Sequence, residues 1–191
     1  MNELEIKELI RETLSPRRFQ HVCGVVEAAE ELASRFGVDP KKARIAGWIH
    51  DYVREWPVDR WYEVAKERGV NPEFFDVAEM LHGPIAASML SDVFGIDDKE
   101  IADAIRYHTS GRIGMSQLEK VVCLADYIEA GRSFPAVEEL REKAKADLDL
   151  ALASAFDNTI RFLLDKNKPI FPLTIYARND LWRTVSDRRT L

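Results

Sequence analysis

Apolar side chains recur every three or four positions through nearly the whole chain, and no stretch alternates apolar with polar residues for long enough to make a strand. That periodicity places the apolar residues on one stripe of a helix, which is hidden only by packing against other helices. The expected fold is therefore all-α. The 191 residues suit one domain of moderate size, and no internal repeat, low-complexity segment or linker divides residues 1–191.

The punctuation supports this reading. Asn2 to Leu14 makes a first amphipathic helix, and Ser15-Pro16 caps and opens a second that runs to about Phe36, before Gly37. Asp39-Pro40 opens a third, expected to reach about Glu55. Shorter helices follow at about Asp59 to Arg68 and Asn71 to Met80, and His82-Gly83-Pro84 begins another that ends near Gly95. Asp97 is the expected cap of the helix carrying Ile101, Ile105 and His108, and Thr109 to Gly114 reads as a loop. Ser116 caps a helix to about Glu129. Pro135 opens what is expected to be the longest helix, to about Asp165, and after the connection Lys166 to Pro172 a last helix covers roughly Leu173 to Val185.

Composition excludes several classes. Net charge is −6 and Lys and Arg form no long block, so neither nucleic acid nor an anionic membrane is an expected partner. No apolar run approaches the ~18 residues of a spanning helix. Met1 to Arg11 is rich in Glu and Lys and lacks the basic start and apolar stretch of a secretory leader, so the expected location is the cytoplasm. Cys23 and Cys123 read as small apolar core residues.

The histidines carry the chemistry. There are four, and three lie among apolar residues on or beside expected helices. One such histidine is usually a satisfied core residue; all four together are harder to explain that way. Asp51 follows His50 in WIHDYV, and Asp126 sits in the almost wholly apolar VVCLADYI. Burying an ionised carboxylate without a partner costs several kcal/mol. An arginine beside each aspartate would account for the carboxylates alone. A metal accounts for His21, His50, Asp51, His82, His108 and Asp126 together. Mixed imidazole and carboxylate ligands favour iron, manganese, zinc or related ions over calcium. Six ligands exceed what one open site uses and suffice for two ions, with Asp51 placed to bridge.

The order His21, His50-Asp51, His82, His108, Asp126 resembles the H…HD…H…H…D signature of the HD phosphohydrolase superfamily, whose helical bundle is then the expected architecture. The segments SPRRFQH (15–21), LHGP (81–84), AIRYHTSGR (104–112), LADYIE (124–129), DNTIR (157–161) and ARNDL (177–181) are similar to the bacterial YqeK family. That resemblance implies a symmetrical diadenosine tetraphosphate hydrolase with a di-iron centre. On that resemblance, a metal-activated hydroxide is expected to attack phosphorus and two ADP to be released. Two departures stand out: Arg54 occupies a position where many HD enzymes have lysine, and Ala130-Gly131 precede Arg132 where a proline and an asparagine are expected. Arginine keeps the charge and grips phosphate with a planar fork.

Arg18, Arg54, Arg112 and Arg132 are the phosphate candidates, since each lies close in sequence to a proposed ligand. Arg54 and Arg112 join Asp51 as expected catalytic groups. Thr109 is a phosphate donor or a helix cap, and Asp157, Asn158 and Thr159 either read the nucleotide or form a packing patch. Trp48, Trp56, Trp61, Phe74 and Phe75 surround the metal segments in sequence and suit either a shelf for adenine or the core, the commoner place for aromatics at helical spacing; neither is assigned. The expected partner is a small dinucleoside polyphosphate or nucleotide, and a homodimer is compatible with the sequence. Three other readings share the ligand set: a different HD nucleotidase or phosphodiesterase, a di-iron oxygenase, and a non-catalytic nucleotide sensor.

Overall fold

Side-chain caps decide where most helices begin. In the computed structural model, which describes residues 1–190, Asn2 and Ser116 each close a capping box with the glutamate three residues on, Glu5 and Glu119. Ser15, Asp39, Asp98 and Asp147 accept from amides of the first turns that follow them. Among the described residues the elements are helices and short 3₁₀ turns, without strands: α1 (Glu3–Thr13), α2 (Pro16–Phe36), α3 (Pro40–Ile49), α4 (Val58–Glu67), α5 (His82–Ser88), α6 (Leu90–Phe94), α7 (Lys99–Arg106), α8 (Gln117–Ile128), α9 (Val137–Ala144), α10 (Leu148–Asp165) and α11 (Pro172–Arg189).

Several boundaries differ from the periodicity. α3 stops at Ile49, and the chain then tightens through i→i+3 bonds, Tyr52 to Ile49, Arg54 to Asp51 and Trp56 to Val53. Asn71 to Met80 is a pair of 3₁₀ turns, Pro72–Asp76 and Ala78–Met80. The stretch from His82 to Gly95 is two helices that break at Met89. The cap of α7 is Asp98 rather than Asp97, because its carboxylate accepts from the Glu100 and Ile101 amides. The stretch expected as the longest helix divides at Lys145 to Asp147, where Asp147 restarts the helix by accepting from Leu150. The longest helix is α2.

α2 lies along α3 and α8, while α7 bridges α5 and α8, and α10 packs on α8, α9 and α11. The core runs continuously through these contacts, with Ile49, Ile85, Ile105, Leu124 and Phe156 fully enclosed. Each such side chain contributes about 1.5–3 kcal/mol of burial. Gly47 permits the close crossing of α2 and α3: a Cβ there would meet Val26 Cγ2 at 3.2 Å. Cys23 and Cys123 are free, Cys123 in the core and Cys23 half-buried. Trp48, Trp61 and Phe74 are buried, while Trp56 and Phe75 pack partly buried against the core.

Candidate metal centre

The ends of four elements and the middle of a fifth converge on one point. His50 is the residue after α3, Asp51 opens the tight turn beyond it, His82 begins α5, and His108 follows α7. These four are buried. His21 comes from within α2 and Asp126 from α8, and both are half-buried.

The rings are oriented by main-chain atoms. Nδ1 of His50 donates to the Gly47 carbonyl at 2.7 Å, Nδ1 of His82 to the Glu79 carbonyl at 2.6 Å, and Nδ1 of His108 to the Ile105 carbonyl at 2.7 Å. Each acceptor belongs to the last turn of an element that is ending, where carbonyls lack helical partners. A carbonyl only accepts, so each Nδ1 carries the hydrogen and each neutral ring presents a bare Nε2 inward. For His82 and His108 the outcome is a convergence of lone pairs. His82 Nε2 and His108 Nε2 are 3.0 Å apart, and Asp51 Oδ1 is 3.4 Å from His82 Nε2. Asp51 Oδ2 is 3.4 Å from His50 Nε2 and 3.7 Å from His21 Nε2, while Asp126 Oδ1 is 3.0 Å from His21 Nε2. The buried Nε2 atoms of His21 and His50 have no hydrogen-bond partner.

The electrostatics agree. Burial, with His108 beside it, pushes His82 down to about 3 against the pull of Asp51. Burial, with His50 beside it, pushes His108 down to about 4. Both rings are thus neutral near pH 7, and two neutral Nε2 atoms with hydrogens on Nδ1 cannot bond to each other. Burial opposes charging of His50 also, but Asp51 outweighs it and raises that histidine. Asp51 is held well below the usual carboxylate range, where His50 and His82 overcome its desolvation, and Asp126 is lowered by His21 and Arg132. A divalent cation fits this donor set. Nitrogens bound at ~2.1 Å and at right angles on one ion lie about 3 Å apart, which matches the His82–His108 spacing. His21, His50 and Asp126 form one compact ligand group, and His50, Asp51 and His108 another.

A cleft of about 750 Å³ opens beside His21 and is lined by Arg17, Arg18, Glu55, Glu129 and Arg132 among others. Arg18 Nη1 donates to Asp51 Oδ2 at 2.9 Å, and Arg132 Nη2 to Asp126 Oδ1 at 2.5 Å. Thr109 Oγ1 lies 3.0 Å from His108 Nε2 and 3.3 Å from His82 Nε2, inside the cluster. Arg54 stacks over Trp61, 5.6 Å from the ring centroid, and its charge helps keep His82 neutral.

The other sequence candidates are placed elsewhere. Arg112 is not among the residues that line the cleft: its fork is taken by buried Glu119, with two contacts of 2.7 Å, and Asp103 lies 3.7 Å away. Position close to His108 in sequence did not bring it to the cluster, because its guanidinium is held by Glu119 of α8 and lies 5.0 Å from the centroid of the Tyr107 ring. Asp157 accepts from Arg178 Nε at 2.6 Å and Trp182 Nε1 at 3.2 Å, and so joins α10 to α11. Asn158 faces Arg161 on the same helix. Sequence reasoning missed Glu129, buried at the end of α8 with its Oε1 3.1 Å from His21 Nδ1. The glycine beside it at 131 was the available signal.

An all-helical bundle that gathers imidazoles and aspartates from separate elements onto one buried point defines the HD class of metal-dependent hydrolases. The HD domain model matches residues 18–131. The chain is 42% identical to a Bacillus subtilis protein named symmetrical bis(5'-nucleosyl)-tetraphosphatase, over 94% of this chain and 97% of that one. It is 33% identical to a Staphylococcus aureus protein of the same name, over 99% and 98%. A Clostridium acetobutylicum crystal structure, described as a predicted HD superfamily hydrolase involved in NAD metabolism, is 39% identical, covers 96% of this chain and superposes with a TM-score of 0.92. The chain belongs to the HD-domain family, in its group of symmetrical bis(5'-nucleosyl)-tetraphosphatases. No helix among the described residues is long and apolar enough to cross a membrane.

Proposed function

We propose that this chain is a cytoplasmic enzyme that hydrolyses diadenosine tetraphosphate to two ADP, using two metal ions, of which iron is the first choice. The observation that carries the chemistry is the facing pair of bare Nε2 atoms on His82 and His108, with an Asp51 oxygen beside them. The family supplies the substrate class. A pair of ions is favoured by Asp51, whose Oδ1 turns to His82 while Oδ2 turns to His50 and His21. His21, His50, Asp51, His82, His108 and Asp126 would hold the ions, and the borderline-to-hard donor set suits iron or manganese.

Bound ions would supply a water of lowered pKa and Lewis-acid stabilisation of phosphoryl oxygens. The chain supplies the rest. Arg18 and Arg132 each touch a ligand aspartate and line the cleft, so a polyphosphate lying there meets two guanidinium groups where negative charge grows. Thr109 is within reach to donate to a phosphate oxygen, and Arg54 adds positive potential on the His82 side. The buried floor of the site excludes bulk water from the His82–His108 half. A second copy of the chain is an admissible partner.

The test is product analysis. Protein prepared anaerobically and reconstituted with iron or manganese is expected to convert diadenosine tetraphosphate to ADP alone. Equal AMP and ATP would overturn the symmetrical cut, and binding without turnover under any metal would favour a sensor.

A further inference from the structure

Among the four histidines, His21 alone cannot be oriented by its own backbone. His50, His82 and His108 each donate to the carbonyl three residues earlier, at the end of an element. His21 sits inside α2, where the corresponding carbonyls already accept helical amides. Its Nδ1 meets a side chain instead, Glu129 Oε1 at 3.1 Å, brought from the end of α8.

The surroundings of Glu129 are built to receive a carboxylate. The Gly131 amide donates to Oε2 at 2.5 Å, and Arg132 Nε lies 3.8 Å from Oε1. The backbone that carries it is held by Arg141, which donates to the Glu129 carbonyl at 2.7 Å and to the Ile128 carbonyl at 2.9 Å. Two glycines clear the space. A Cβ at Gly24 would stand 2.5 Å from Glu129 Oε2, and one at Gly131 would stand 3.0 Å from it. One carboxylate oxygen is thus matched to an imidazole N–H and the other to a backbone N–H.

We infer that Glu129 is the positioning residue of the metal centre, fixing the tautomer and direction of His21 so that its Nε2 faces Asp126. The inference rests on His21 being a metal ligand. A carboxylate hydrogen-bonded to the far nitrogen raises the basicity of the ligating nitrogen, and loss of such a partner typically weakens metal binding by about 10–100-fold. Glutamine is the informative replacement. It has the same shape, but its NH₂ must face either the Gly131 N–H or the His21 N–H, so one donor opposes another.

The experiment is calorimetric titration of the metal-free full chain with manganese(II) alone, on the parent, Glu129→Gln, Gly24→Ala, His21→Ala and the His21→Ala/Glu129→Gln double variant. Glu129→Gln is expected to weaken one binding event by about 10-fold or more, with the helical circular dichroism of the parent retained. Gly24→Ala should weaken the same event, since its Cβ displaces the carboxylate. In the His21→Ala background, Glu129→Gln should have no further effect, whereas a purely structural role would weaken binding equally in both backgrounds. Parent-like affinity of Glu129→Gln beside a weakened His21→Ala would overturn this inference alone. Parent-like affinity of His21→Ala would overturn the ligand assignment and this inference with it.

Discussion

The two halves of the metal centre are constructed differently. The His50–His82–His108 half is enclosed, and its rings are oriented by main-chain carbonyls at the ends of helices. The His21–Asp126 half is half-buried, borders the cleft, and is surrounded by side chains from other elements: Arg18, Glu129 and Arg132. Asp51 touches both. The difference separates two requirements. One half holds ring nitrogens rigidly away from water, those of His82 and His108 uncharged, and the other keeps cations at an open cleft.

The largest effect is expected where the halves meet. Asp51→Asn keeps the shape but removes the charge shared by both, and should lower kcat/KM by about 10³-fold or more, with metal loss detected by elemental analysis. If one half binds and works without Asp51, metal content will fall only partly and the halves are separable. Arg18→Ala should affect the open half alone. A loss of about 10²-fold in kcat/KM with metal content unchanged fits a phosphate contact made in the transition state; a loss of metal would instead make Arg18 a support for Asp51.

The enclosed half predicts a pH effect on the metal-free protein. His82 is held at about 3 and His108 at about 4 in the folded chain, against ~6.5 in the unfolded chain. Between those values the unfolded state binds more protons, so stability is full above about pH 6.5 and falls as pH drops toward 4. His50, raised by Asp51, opposes this. The net expectation is a loss of stability as pH falls from 7 to 5, because two lowered rings outweigh one raised one, read from urea midpoints of chelator-treated protein. A flat profile would show that the folded chain takes up as many protons as the unfolded one over this range, and so overturn the enclosed, uncharged pair.

The smallest effect concerns a residue outside both halves. Arg112→Ala strands buried Glu119 and should cost roughly 1.5 kcal/mol of stability, less than a fully buried pair because Arg112 is one-third exposed. Its kcat/KM should stay within about threefold of the parent, below ~0.7 kcal/mol. A loss of activity without loss of stability would place Arg112 in the phosphate site after all.

The contrast between Arg112 and His108 marks the limit of what was legible in the sequence. A histidine or aspartate inside an apolar run is conspicuous because burial without a partner is so unfavourable, and the six such residues meet in space. An arginine is ordinary anywhere, and its partner decides its role: Arg112 was claimed by Glu119, and Asp157 by Arg178 and Trp182 across two helices. Glu129 was hidden for the same reason, since a glutamate closing a helix looks solvated until its neighbours are known. The all-α fold followed from periodicity. The breaks at Ile49, Met89 and Lys145 did not, because apolar spacing continues across them while the hydrogen-bond pattern changes.

The main-chain orientation of three rings also bears on inheritance. A carbonyl oxygen is present whatever amino acid is encoded at Gly47, Glu79 or Ile105. A missense change at those codons can displace these acceptors only by moving the backbone; it cannot delete them. The enclosed half of the centre therefore offers few single-nucleotide routes to a misdirected ring, and lineages should be able to vary exposed Glu79 freely in side-chain chemistry, and buried Ile105 among apolar side chains of similar size, while retaining the histidines they orient.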